Sequence, residues 1–432
     1  MDLHSIPIDR INPAPYNPRK DLQPGDPEYE KLQRSIEEFG CVEPLVWNRR
    51  TGNLIGGHQR LKILKAQGDS EVYVSVIDLS LEREKALNVA LNKIAGDWDP
   101  RKLAELLDEL TQLPGFDIEL TGFDLPDADA LISEVLHSHN DEAEDFDVEA
   151  ALRRDQPAVT RLGDLIELGR HRLLCGDSST LGDVQRLLGD DHVDLLLIDP
   201  PYNVDYYGGN RPTPQRARPK RSRQWNRIYA DNLSQEQYVG WLGGILGNVK
   251  GFLVPGAAFY IWNGHRQFGP MHLMLEQIGL KVSCVITWAK ESFAIGYGDY
   301  NQQTEFCLYG WLPHENKGSH NWYGPTNEST LWEIKRDPTK SYQHPTQKPL
   351  ELAERAMRNS TRPGRLILDT FLGSGTTLIA AERTGRRCLG IEIDPYYCDV
   401  VVRRYLAFVG ECAVDAQLTE RYRLSSLNNQ ED

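Results

Sequence analysis

The stretch Leu366-Ile367-Leu368-Asp369-Thr370-Phe371-Leu372-Gly373-Ser374-Gly375-Thr376-Thr377 constrains this chain more than any other. A short apolar run ends in an acid, turns through two glycines and enters a helical segment. An apolar run of that kind reads as a strand buried on both faces of a sheet. Glycines let the backbone approach a ligand closely, and the helix start that follows offers free N–H groups. A second apolar run, Cys388–Ile391, ends at Glu392, 23 residues after Asp369. An acid at the tip of the second strand can hold both hydroxyls of a ribose, so the pair points to a cofactor that contains a nucleoside.

Other apolar runs lie at Val193–Ile198, Ala258–Trp262, Cys284–Trp288 and Phe306–Tyr309. They alternate with helical segments at Gln235–Leu246, His265–Ile278, Pro349–Asn359, Thr376–Arg383 and Pro395–Phe408. This interleaving predicts an α/β fold with a largely parallel sheet, whose ligands bind at the carboxyl ends of the strands. One such end carries Asp199-Pro200-Pro201-Tyr202. Successive prolines fix φ and leave a stiff loop that presents acceptors. Asp199 and the Pro200 carbonyl can accept both hydrogens of an exocyclic amine while Tyr202 stacks on the attached ring, an arrangement suited to an extruded base. Taken alone, each motif is also explained by a rigid turn after a strand.

Composition bounds the partners. No apolar run approaches the roughly 20 residues that cross a bilayer, and Met1–Arg10 lacks a signal-peptide stretch. The seven cysteines are scattered with no C-x-x-C pair, which argues against a disulfide scaffold and a structural zinc site and predicts a cytoplasmic protein without a metal. A formal charge of −15 disfavours nonspecific wrapping of nucleic acid. The exception is local: Gly208–Ala230 holds seven bases, among them Arg216, Arg218, Lys220, Arg221 and Arg223, and no acid. With Trp225 and Tyr229 that stretch can clamp phosphates and stack on DNA. Six of the nine residues in Asp141–Glu149 are acidic, which marks a solvated linker. The expected organisation is an accessory domain at 1–136, a linker at 137–158, a catalytic domain at 159–415 and a tail at 416–432.

The two motifs together resemble those of amino-group DNA methyltransferases. Asp199-Pro200-Pro201-Tyr202 resembles their D-P-P-Y motif, and Phe371-x-Gly373-x-Gly375 their F-x-G-x-G motif for S-adenosylmethionine. The catalytic motif precedes the cofactor motif, the order of the β group. His344-Pro345-Thr346-Gln347-Lys348-Pro349 lies where the family carries a lysine-proline cofactor segment, and Leu174-Cys175-Gly176-Asp177-Ser178 matches its G-D element. The resemblance implies a Rossmann-like methyltransferase sheet that binds S-adenosylmethionine and double-stranded DNA, with restriction–modification as its setting. Asp199, Pro200, Pro201 and Tyr202 are then the catalytic residues. Asp369, Phe371, Gly373, Ser374, Gly375, Thr376, Glu392, Lys348 and Asp177 hold the cofactor, Asp177 alternatively capping a turn. Asp at the first motif position favours the N6 amine of adenine over N4 of cytosine. Target selection is expected at about Leu312–Gln343, which includes His320-Asn321-Trp322-Tyr323.

The N-terminal segment Ile6–Ile94 resembles the ParB-like N-terminal fold through Asn17-Pro18-Arg19 and Gly56-Gly57-His58-Gln59-Arg60-Leu61. Helices are expected at Glu30–Phe39, from Gly57 to about Gln67, at Leu81–Ile94 and at Arg101–Leu110, with strands at Pro44–Trp47, Leu54–Ile55 and Val72–Val76. Nucleotide-binding relatives place a G-E-R-R segment on the triphosphate of CTP; here His58 and Gln59 stand for Glu and Arg, which weakens that site. The resemblance implies a DNA-engaging or partner-engaging module, with CTP or another nucleotide a candidate ligand. A rival reading is a nucleotide-switched DNA-binding protein whose methyltransferase half only reads DNA. Oligomeric state, including a homodimer, stays open.

Overall fold

The computed structural model describes residues 2–92, 98–113, 116–136, 146–152, 156–204, 231–294, 299–314, 320–335, 348–410 and 415–423, with backbone alone at 92, 149 and 294. The chain divides into two compact units, Met1–His137 and Ser138–Asp432.

In the first unit β1 (Leu3–Pro7) and β2 (Asn12–Pro13) precede α1 (Pro27–Phe39), β3 (Leu45–Asn48), β4 (Asn53–Gly56) and α2 (His58–Gln67). Then come β5 (Glu71–Ile77), α3 (Leu81–Asn92), α4 (Pro100–Gln112) and α5 (Leu125–Leu136). The strands form a mixed sheet ordered β1-β5-β3-β4-β2. Leu45, Leu54, Val72 and Val74 bury against Ile36 of α1 and Leu61 and Leu64 of α2. Gly57, at φ 91, turns β4 into α2; a Cβ there would stand 2.5 Å from Leu45, so only glycine fits. Val89, Leu103, Leu107, Leu110, Ala128 and Ile132 join α3, α4 and α5 in a second apolar cluster. The sequence reading omits α5, because Pro126 and three nearby acids, Asp124, Asp127 and Asp129, mask its helical spacing; Asp129 is in fact buried.

The second unit opens with α6 (Val148–Ala151), β6 (Leu165–Leu168), β7 (His171–Cys175), α7 (Leu181–Leu188) and β8 (Val193–Ile198). It continues through α8 (Gln235–Lys250), β9 (Leu253–Asn263), α9 (Phe268–Gln277), β10 (Lys281–Ala294), β11 (Gln302–Trp311) and β12 (Leu331–Glu333). The last elements are α10 (Leu350–Ser360), β13 (Leu366–Asp369), α11 (Thr376–Arg383), β14 (Arg387–Glu392), α12 (Pro395–Val409) and α13 (Ala416–Tyr422). The strands form one sheet ordered β12-β10-β11-β9-β8-β13-β14-β7-β6. Strands β9, β8, β13, β14 and β7 are parallel. Strand β11 runs antiparallel between β9 and β10, and β6 antiparallel on β7, so the parallel sheet expected from the interleaving has antiparallel flanks. The cause is a hairpin: β10 returns through β11, which inserts beside β9.

Burial on both faces explains the unbroken apolar runs. Leu195, Leu197, Ile367 and Cys388 face a cluster with α10, α11 and α12; Leu196, Ile198, Leu368, Leu389 and Ile391 face one with α7, α8 and α9. Each such Leu or Ile contributes about 1.5–3 kcal/mol on burial. Residues of the expected linker and of the expected tail pack on this unit. Val148 and Ala151, within the expected linker, bury against Val400, and the backbone N–H groups of Val159 and Thr160 donate to the Asp399 carboxylate at 2.8 and 2.9 Å. Within the expected tail, Tyr422 of α13 is 1% exposed and its hydroxyl lies 2.9 Å from that of Thr160.

The chain leaves β8 toward β9 on one side and leaves β13 toward β14 on the other. Those two strands are neighbours, so their carboxyl ends flank a crevice at the point where the strand order reverses, the place where open α/β sheets bind ligands.

Candidate active site

One wall of the crevice is the glycine turn after β13. Asp369 closes the strand with its carboxylate turned inward, accepting from the Phe371 N–H at 2.9 Å and the Thr377 hydroxyl at 2.6 Å. These bonds fix the turn that starts α11. Gly373 (φ 54) and Gly375 (φ 85) adopt left-handed backbone. A Cβ on Gly375 would press on Val401 at 3.2 Å, whereas one on Gly373 would meet only the Phe371 carbonyl at 3.9 Å and occupy open space. Glu392 reaches the same turn from the end of β14, accepting from the Gly373 N–H at 2.8 Å and the Asp394 N–H at 2.9 Å. Burial raises both acids to about 7, partly offset at Asp369 by the Thr377 and Phe371 donors and at Glu392 by those of Asp394 and Gly373. Open space at the glycine turn, beside two buried acids that share it, fits a ligand with ribose hydroxyls and positive charge, as S-adenosylmethionine has.

The other wall is the loop after β8. Lys348 Nζ donates to Asp199 Oδ2 at 2.5 Å and to the Tyr202 hydroxyl at 2.8 Å. The Tyr202 hydroxyl donates to Glu305 Oε2 at 3.0 Å, and Lys348 lies 3.5 Å from the same oxygen. Lys290 forms an ion pair with the other Glu305 oxygen. The remaining carboxylate oxygen of Asp199, Oδ1, is buried and has no hydrogen-bond partner among the described residues. Burial pushes the Asp199 carboxyl up, against the pull of Lys348. Lys348 is held charged: burial opposes its charge, but Asp199 and Glu305 together outweigh that and raise it. Glu305, despite burial, is brought down to about 2 by Lys348 and Lys290.

The loop is braced from behind. Tyr238 of α8 donates to the Pro201 carbonyl at 2.7 Å and accepts from Asn263 Nδ2 at 2.7 Å. Asn203 takes a left-handed conformation (φ 54) and exchanges two hydrogen bonds with Leu233, its Nδ2 to the carbonyl at 2.9 Å and its Oδ1 from the N–H at 2.8 Å. Val204 N–H donates to Asp231 Oδ1 at 3.0 Å. The described residues on either side of 205–230 are therefore paired, Asn203 with Leu233 and Val204 with Asp231.

Asp199, Tyr202, Asp369, Gly373, Gly375 and Glu392 thus come together at one crevice. Lys348, read in the sequence as a cofactor ligand, sits on the Asp199 side of it. Thr376 and the Ser374 carbonyl are each engaged by Arg404 Nη1 at 3.2 Å, and Phe371 packs edge-on against Trp241. Asp177 caps a turn, accepting from the Ser179 N–H at 2.9 Å and hydroxyl at 2.7 Å. Arg216, Arg218, Lys220, Arg221 and Arg223 lie outside the described residues, as do His344–Gln347. Glu305, Lys290, Tyr238 and Asn263 escape the sequence reading. A signal for Glu305 is present: on β11 the apolar row Trp311, Tyr309, Cys307 continues by twos to an acid near the strand's start.

A parallel-centred sheet with a glycine turn and a terminal acid on adjacent strands, faced across the switch point by an Asp-Pro-Pro-Tyr loop, defines the class: a Rossmann-like, S-adenosylmethionine-dependent methyltransferase. Residues 193–403 match the DNA methylase family model, residues 1–93 the ParB N-terminal domain and residues 101–162 the ParB-methyltransferase HTH domain. A DNA methylase domain thus follows a ParB-type N-terminal region in this chain. The chain is 28% identical over 228 residues to the Type II methyltransferase M2.DpnII of Streptococcus pneumoniae, covering 50% of this chain and 82% of that one. It is 26% identical over 260 residues to the Type II methyltransferase M.HpaI of Haemophilus parainfluenzae, covering 54% and 73%. Similar solved structures include the M1.HpyAVI-SAM complex (23% identity, 54% of this chain and 97% of that chain, TM-score 0.40). Another is the PvuII DNA methyltransferase, described as cytosine-N4-specific (18% identity, 58% and 91%, TM-score 0.43).

The HTH match has an unusual charge for its name. Residues 101–162 hold 16 acids and five bases, a net −11, and α5 contains no Lys, Arg or His. On α5 Asp127, Ala130 and Glu134 are exposed positions.

Proposed function

We propose that this DNA methyltransferase acts on the N6 amine of adenine in double-stranded DNA, at a base extruded into the crevice beside Asp199. The observation that carries the reading is the buried Asp199 Oδ1, unpartnered among the described residues: one carboxylate oxygen is held by Lys348, and the other is left as an acceptor. S-Adenosylmethionine, when bound, supplies an electrophilic methyl group on a sulfonium. Gly373 and Gly375 would let the backbone approach it, and Glu392 would accept from the ribose hydroxyls. The amine of adenine is a weak nucleophile because its lone pair is delocalised into the ring. Asp199 Oδ1 and the Pro200 carbonyl accept its two N–H bonds, which draws the nitrogen toward tetrahedral geometry and returns the lone pair to it. Lys348 works against the burial that disfavours the Asp199 carboxylate, and Tyr202 stacks on the base. The methyl group would pass from sulfur to the amine nitrogen, its C–S bond breaking as the C–N bond forms and leaving a neutral thioether, and the surplus proton of the cationic nitrogen would leave by way of Asp199. Positioning and electrostatics supply the acceleration without a covalent nucleophile.

The basic stretch Gly208–Ala230 would grip phosphates around the target, since it is the concentrated positive charge on an acidic chain. The N-terminal unit is an accessory module. Its weakened correspondence to CTP-binding relatives is matched by Arg60, which is engaged by both the carbonyl and the carboxylate of Glu43 at 2.8 Å. Titration of the protein with CTP at millimolar concentration tests a nucleotide role; absence of binding ends it. The decisive test of the main reading is nucleoside mass spectrometry of DNA from a methylation-deficient host. Wild-type protein is expected to yield N6-methyladenine, and Asp199→Ala about a hundredfold less or none. N4-methylcytosine in place of N6-methyladenine would reverse the base assignment, and an undiminished product from Asp199→Ala would remove Asp199 from the mechanism.

A further inference from the structure

Glu305 touches neither the glycine turn nor Glu392, yet it ends a chain of polar interactions that leads to the reacting end of Asp199. On β11 it lies opposite Trp288 of β10, and Lys290, two residues along β10 on the same face, pairs with it. From that position its Oε2 receives the Tyr202 hydroxyl at 3.0 Å and faces Lys348 Nζ at 3.5 Å. Lys348 thus stands between two carboxylates, and Tyr202 between a cation and an anion. Each has its direction fixed by Glu305 at the end away from Asp199. Two acids and two lysines make the cluster electrically neutral, so Lys348 does not have to give its whole charge to Asp199.

Resting on the reading of Asp199 as the amine acceptor, we propose that Glu305 is a positioning residue for methyl transfer, holding Lys348 and Tyr202 so that Asp199 presents one free oxygen to the base. Without the Glu305 charge, Lys348 collapses onto Asp199, whose acceptor strength falls, and the Tyr202 ring loses its anchor. The residue acts on the rate after both substrates are bound rather than on cofactor affinity, because the cofactor side of the crevice is built from β13, β14 and their turns.

The test uses the full-length protein with Glu305→Gln, which keeps the size and an acceptor for Tyr202 but removes the charge, and with Glu305→Asp. Glu291→Gln serves as control, on the same strand as Lys290 with an exposed side chain. Cofactor binding is measured by calorimetry, and kcat and KM for DNA across pH. The expected result for Glu305→Gln is a cofactor Kd within about twofold of wild type, a kcat lower by about tenfold or more, and partial rescue in Glu305→Asp. The acid limb of kcat also moves to lower pH. The charged and titratable groups around Asp199 are Lys348, Glu305, Tyr202, Tyr238, Asp369 and Cys307, and Glu305 is a negative neighbour that raises it. An unchanged kcat and pH profile in Glu305→Gln overturns the proposal, and so does loss of cofactor binding in step with activity, which would assign Glu305 to folding. Asp199→Ala, assayed alongside, separates the two levels. If it retains activity, the reading of the site fails; if it is inactive while Glu305→Gln is normal, only the positioning role fails.

Discussion

Glu392 and Asp369 give the cofactor side of the crevice a pH response whose direction is set by burial. Both carboxyls are raised to about 7, from 4.5 and 3.8 respectively. Between those lower values and about 7 the folded chain holds protons that the unfolded chain has released. Rising pH therefore lowers stability across that window, by about 1.4 kcal/mol per pH unit for each group at most. The melting temperature of the ligand-free protein is expected to fall from about pH 5 to pH 7, and Glu392→Gln to flatten the fall. Binding of S-adenosylmethionine should run the other way. Its ribose hydroxyls and cationic centres need Glu392 ionised, so affinity rises through pH 7, where Glu392 titrates. Glu392→Gln is expected to weaken binding by about tenfold to a hundredfold and to suppress that pH dependence, as calorimetry would show. A pH-independent affinity in the wild type would mean that the carboxylate is not what the ribose meets.

At the scale of elements, α13 and the turn into α11 make the sharpest claims. Tyr422 of α13 fills the core beside α12 and its hydroxyl meets Thr160. Tyr422→Ala is expected to cost about 3–5 kcal/mol in chemical denaturation, within the range for deleting a buried aromatic. Gly375→Ala forces a side chain into left-handed backbone and toward Val401, so it should lose about 1–3 kcal/mol and cofactor binding together. What is legible in the sequence follows the same physics. Helix α11 reads as Thr376–Arg383, its observed span, and β8 as Val193–Ile198, because glycine and proline punctuate them and both faces are buried. Strand β9 reads as starting only at Ala258, since Pro255 and Gly256 look like a boundary; the strand carries on through them. Strands β6 and β7 and helix α7 are illegible, since their apolar runs are short and interrupted by Arg170, Arg172 and Asp183. In the site, motif residues are visible as strand ends. The ion-pair cluster is not, because Lys290, Glu305 and Lys348 are brought together only by the fold.

Across the whole molecule, charge is segregated along the sequence. The region matched as a helix-turn-helix domain carries −11 of the chain's −15, while Gly208–Ala230 carries seven bases. A helix without a single base is a poor reader of phosphate. Neutralising Asp127 and Glu134 of α5 is therefore expected to leave DNA affinity within about twofold, with the salt dependence unchanged. Replacing Arg216, Arg218, Lys220, Arg221 and Arg223 by alanine should lower affinity for all sequences. The plot of log K against log salt should flatten by about 0.9 for each phosphate no longer neutralised. Filter-binding or anisotropy titrations at several salt concentrations distinguish the two surfaces. The paired ends at Asn203–Leu233 and Val204–Asp231 give the second experiment an unusual freedom. They are made by residues on either side of the segment, and doubling the length of a flexible insert in its place costs only about 0.6 kcal/mol of closure entropy. A neutral linker of similar length spliced between Val204 and Asp231 is accordingly expected to weaken DNA binding while leaving cofactor affinity within about twofold, as anisotropy and calorimetry would show. Nature could vary the grip on DNA there while the chemistry stays untouched.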